Sequence, residues 1–146
     1  MKYLVLVFTL LVFAGKTSQA QQPVVFAPDN IALGGYDVVS FFNSEGPVKG
    51  QDSLSVEWNK VRWKFSSRAH LDRFKTAPEK YMPAYGGYCA YGMSKGYKAP
   101  TQPDTWYLQD GRLYFNYNKK VQATWNKDRD SLIEKADKNW PGAMKK

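Results

Sequence analysis

Apolar residues fall in three patterns along this chain. The first is a nearly continuous run from Tyr3 to Ala14, broken only by Thr9, behind Lys2 and ahead of a small, polar stretch ending Ser18-Gln19-Ala20. Charged start, short apolar core and small-x-small ending are the parts of a secretory signal peptide. The run is well short of the ~20 residues a membrane-spanning helix needs. The expectation is therefore a signal peptide over 1–20, cleaved after Ala20, and a periplasmic or secreted protein. A leader over 21–30 follows and is expected to lie on the surface.

The second pattern has a period of two. Val61, Trp63 and Phe65 alternate with Arg62 and Lys64, the spacing of a half-buried strand. With Ser53–Trp58 before it and Asn59-Lys60 between, this predicts a hairpin. Thr105–Gln109 and Arg112–Tyr117 flank Asp110-Gly111 and predict a second one. The β-branched and aromatic run Val38–Phe42 suits a strand or short buried segment.

The third pattern repeats every three to four residues. Ser67 can cap a helix over Arg68–Lys75, with Leu71 and Phe74 on its inner face. Pro78-Glu79-Lys80-Tyr81 suits a further helical turn, since proline is tolerated at the first position. Asn118 can cap a helix carrying Val121 and Trp125. A last helix over about Asp130–Trp140 turns Leu132, Ile133 and Ala136 inward and is expected to stop at Pro141-Gly142. Between these elements, Met82 to Pro103 holds four glycines, three prolines and four tyrosines, which predicts a long irregular loop of the kind that is often functional. The sum is a small single α+β domain with two antiparallel hairpins and short helices, and a basic tail over 142–146.

Composition narrows the function classes. One cysteine excludes an internal disulfide framework and two-cysteine redox motifs, and one histidine excludes a site of several His ligands. The net charge of +8 becomes +6 on loss of Lys2 and Lys16 with the signal peptide, with 19 basic residues against 13 acidic. Basic and acidic residues mix at helical spacing in the last third, the pattern of a solvated face. Nucleic acid is not the expected partner; attraction to an anionic envelope surface fits an exported basic chain better. No nucleophile elbow, phosphate-binding glycine pattern, His-Glu-x-x-His or calcium loop occurs, so no catalytic residues are assigned and an enzyme is not expected.

The segment Val61 to Tyr81, with a hairpin ending in an aromatic residue and Ser, a short helix carrying Phe, and a Pro-Glu-Lys-Tyr close, resembles the YHS domain. Gly35-Tyr36-Asp37-Val38-Val39 is similar to that domain's opening. Through Tyr85-Gly86-Gly87-Tyr88-Cys89-Ala90-Tyr91-Gly92 and on to Asn139-Trp140-Pro141, the likeness to exported bacterial YHS-domain proteins covers about 31–141. The resemblance implies metal handling, with cysteines at the opening and at the hairpin-to-helix junction as ligands. Here those positions are Ser40, Ser66 and His70. Serine is a poor ligand for soft metals, so His70 alone keeps donor chemistry.

Cys89 is the other donor. With His70, and with Met93 or Met82, it would make a soft-donor site suited to copper as Cu(I). Two other readings stand beside this one: a buried cysteine acting as a small apolar residue, and a reactive thiol used in redox chemistry. Tyr85, Tyr88, Tyr91 and Tyr97 follow no regular period and are candidate contacts for a small molecule or partner.

Overall fold

A computed structural model describes residues 24–145; the expected signal peptide and its cleavage site lie outside the described residues. The chain opens with two short 3-10 turns, Pro28–Asn30 and Ala32–Gly35. Helix α1 (Val38–Phe42) follows, then a hairpin of β1 (Gln51–Trp58) and β2 (Val61–Phe65), and helix α2 (Arg68–Thr76). After 3-10 turns at Pro78–Tyr81 and Ala84–Gly87 come α3 (Ala90–Ser94), a second hairpin of β3 (Tyr107–Gln109) and β4 (Arg112–Tyr114), α4 (Lys119–Asn126) and α5 (Arg129–Ala143). Each hairpin is its own two-stranded antiparallel sheet. The expected α+β arrangement, a strand pair followed by helix in each half, is the one observed.

Local chemistry explains most boundaries. Asn59 and Lys60 both take positive φ, the geometry of a two-residue hairpin turn, and pair Trp58 with Val61. Ser67 caps α2 by accepting from the His70 amide, and Asn118 caps α4 by accepting from the Val121 amide.

Four expectations are corrected or narrowed. Val38–Phe42 is the short buried segment of the two alternatives and not the strand: it is a helix, because the Asp37 carboxylate accepts the Val39 amide and starts a turn that overrides β propensity. Met82–Pro103 is not wholly irregular, since it contains a 3-10 turn and α3. Helix α5 runs through Pro141 to Ala143, whose buried side chain rewards the extra turn; the missing proline amide interrupts one bond while Met144 still donates to the Trp140 carbonyl. The leader is not merely superficial: Val25 is buried, and Phe26 donates to Gly86 while accepting from Leu33.

Two cores result. Val38, Val39, Phe41, Trp63, Phe65, Leu71 and Phe74 belong to the first, under the β1–β2 hairpin and α2. Tyr85, Ala90, Met93, Trp125, Leu132 and Ala136 belong to the second, between α3, α4 and α5. Strand β4 is their common wall: Leu113 and the following Phe115 enter the first core, and Tyr114 enters the second. Leu108 on the partner strand, and Trp106 just before it, are only half-buried against the first.

Candidate functional site

Three places carry the residues singled out above. The first is centred on Asp37, which has no exposed surface. Its Oδ1 accepts from the Val39 amide at 2.9 Å. Its Oδ2 accepts from the Ser66 amide at 2.8 Å, the Ser66 hydroxyl at 2.6 Å and His70 Nδ1 at 2.7 Å. A carboxylate can only accept, so the imidazole hydrogen lies on Nδ1 and Nε2 is left to accept from Asn43 Nδ2 at 3.0 Å. Glu45 Oε1 stands 3.6 Å from the same Nε2. Ser40 donates to the Asp37 carbonyl, also within reach of the Gly46 carbonyl. Ser66 and His70 therefore meet on one buried carboxylate that joins α1 to the β2–α2 junction, and Ser40 bonds the backbone carbonyl of the same residue.

The second place is Cys89, which has no exposed surface and forms the N-cap of α3. Its sulfur accepts from the Gly92 amide at 3.4 Å and its thiol faces Asn116 Oδ1 at 3.7 Å. Burial pushes the thiol's pKa up, against the opposing pull of the Gly92, Tyr117 and Tyr91 amides. Met93 is buried in the second core. The partners of Cys89 and those of His70 have no residue in common. Both ring nitrogens of His70 are engaged, and no group of three or more His, Cys, Asp or Glu side chains among the described residues is placed to hold a metal ion. A thiol so enclosed lacks the exposure and low pKa of a reactive one.

The third place is the surface of the Met82–Pro103 segment, where the four candidate tyrosines divide. Tyr85 is buried and donates to Asp137 Oδ1 at 2.9 Å; burial first, and that carboxylate second, raise its pKa. Tyr88 is largely buried, with one face beside Lys98, whose ammonium lies 5.4 Å from the ring centroid. Lys95 stands 5.3 Å from the half-buried Tyr91 ring. Tyr97 is 53% exposed.

That exposed ring is held in place. Gly96 takes φ of 89°, and the Lys95, Gly96 and Tyr97 amides close the end of α3 on the carbonyls of Gly92 and Met93. Tyr97 then lies on Gly92, where an added Cβ would meet Tyr97 Cε2 at 3.1 Å. Next to it in sequence, Lys98, Ala99 and Pro100 join Tyr88, Phe26, Ala27 and Pro28 in lining an open depression of about 280 Å³, in which the Phe26 and Tyr88 rings meet edge-on with centroids 5.7 Å apart. Burial lowers the Lys98 pKa. Sequence reasoning found the tyrosines but missed the leader's part in this wall; the Phe26-Ala27-Pro28 run, apolar in a segment read as superficial, was the available signal.

Comparison with family models gives no match, and neither curated proteins nor solved structures give a significant one. No helix among the described residues is long and apolar enough to cross a membrane.

Proposed function

We propose that this chain is an exported, non-catalytic binding domain whose recognition surface is the Met82–Pro103 segment together with Phe26–Pro28. The observation that carries this reading is Tyr97: a large ring anchored by a helix-ending turn and a glycine contact, yet more than half exposed. An ordered exposed aromatic loses little conformational freedom on binding and offers a flat face to rings and CH groups. The adjoining depression adds an aromatic wall, a lysine and two prolines. The candidate residues outside this surface have structural partners: Asp37 and His70 fasten helix to hairpin, and Cys89 caps a helix.

Amide NMR of the chain from Gln21 onward tests the surface. The probes are a neutral oligosaccharide, an aromatic carboxylate and a poly-glutamate peptide, with phosphatidylglycerol vesicles as a fourth. The expected result is that at least one probe shifts or broadens signals over residues 85–100 and 26–28, and that Tyr97→Ser abolishes the response. Silence with all four, or responses confined to the Asn43–His70 side, would overturn the reading.

A further inference from the structure

We propose that the turn from Lys95 to Lys98 is a docking tip for an anionic phospholipid surface, an inference that rests on the reading of this segment as the recognition surface. Residues 95, 96 and 97 are all exposed, so the tip meets a surface rather than enclosing a ligand. At its centre Tyr97 rests on Gly92 and is 53% exposed, with Lys95 and Lys98 on either side in sequence. Each lysine ammonium stands beside an aromatic ring, Lys95 at 5.3 Å from the Tyr91 centroid and Lys98 at 5.4 Å from that of Tyr88. An aromatic ring at headgroup depth with ammonium groups beside it is the side-chain arrangement that the membrane interface favours. The neighbouring helix adds to it. Asn139 of α5 donates to the Met93 and Ser94 carbonyls just before the tip, and Lys135, exposed one turn earlier, shares the Asn139 side of that helix. The chain's excess of basic residues has the sign such a surface attracts.

The test is co-sedimentation of the chain from Gln21 onward, which contains both cores as they stand among the described residues and lacks the apolar run that would itself bind lipid. Vesicles of phosphatidylcholine alone and of phosphatidylcholine mixed with phosphatidylglycerol are compared at rising salt. Expected is retention on the phosphatidylglycerol vesicles only, falling as salt rises. Each of Lys95→Gln and Lys98→Gln should weaken partitioning about fivefold at low salt. Tyr97→Ser should weaken it without changing the salt slope. No retention, or retention equal in the double lysine variant and the wild type, overturns the inference. The soluble probes keep the two readings separable. A response to oligosaccharide, carboxylate or peptide without vesicle retention removes the lipid and leaves the recognition surface, whereas silence everywhere removes both.

Discussion

Asp37 has four donors aimed at it and no solvent to replace any of them. Asp37→Ala would leave two amides, a hydroxyl and an imidazole N–H unanswered in the interior. The expected loss is about 3–5 kcal/mol, read as a lower urea midpoint at neutral pH. A loss under about 1 kcal/mol would mean that water replaces the carboxylate, and the pin between α1 and α2 would be a minor one. At Cys89 the expectation is kinetic. An aromatic disulfide reagent should leave the native thiol untouched for minutes and react at once in guanidinium, since the sulfur is enclosed and its thiolate disfavoured. The same enclosure predicts that Cu(I) competition against a chelator gives equal affinity for wild type and Cys89→Ser; a loss of affinity in the variant would restore the sulfur as a ligand.

Elements are set by short-range chemistry where that chemistry is strong. Asn59-Lys60 and Asp110-Gly111 make their hairpins, and Ser67 and Asn118 cap the helices expected of them. Val38–Phe42 went the other way. A run of β-branched and aromatic residues signals burial, and burial alone does not choose between strand and helix. The cap that chose helix depends on a carboxylate also held by residues 29 and 33 positions away. Gly50 gives a direct test at this scale. A Cβ there would stand 2.4 Å from the Lys64 carbonyl carbon, a backbone atom that cannot move without opening the β1–β2 pairing. Gly50→Ala should destabilise by about 1–3 kcal/mol in urea unfolding. An unchanged midpoint would show that this edge of the hairpin does not pack as described.

For the molecule as a whole, the buried acids of high pKa set a pH limit. Burial raises the pKa of Cys89, Tyr85, Tyr88 and Tyr114, so the folded state holds these protons more tightly than the unfolded chain does. Their contribution is complete below the unfolded values, about 8.5 for thiol and 10 for phenol, and is lost as pH rises through the folded ones. Lys98, pulled down by burial, works in the opposite direction. Melting temperature should therefore hold steady from neutral pH to about pH 8 and then fall. Tyr85→Phe should flatten part of that decline; a melting temperature constant up to pH 11 would contradict the burial described here.

Periodicity and turn chemistry determined the two hairpins, three of the five helices and the α+β class from the sequence alone, because each signal is carried by residues within a few positions of one another. The site was legible only as a set of candidates: one thiol, one imidazole, a thioether from Met93 or Met82, and four tyrosines. Which of these meet is a question of long-range packing. The tertiary structure placed His70 against Asp37, closed Cys89 off at the start of α3, and left Tyr97 outside on a glycine. It also set Phe26 against Tyr88, a contact between residues some sixty positions apart that no local pattern encodes.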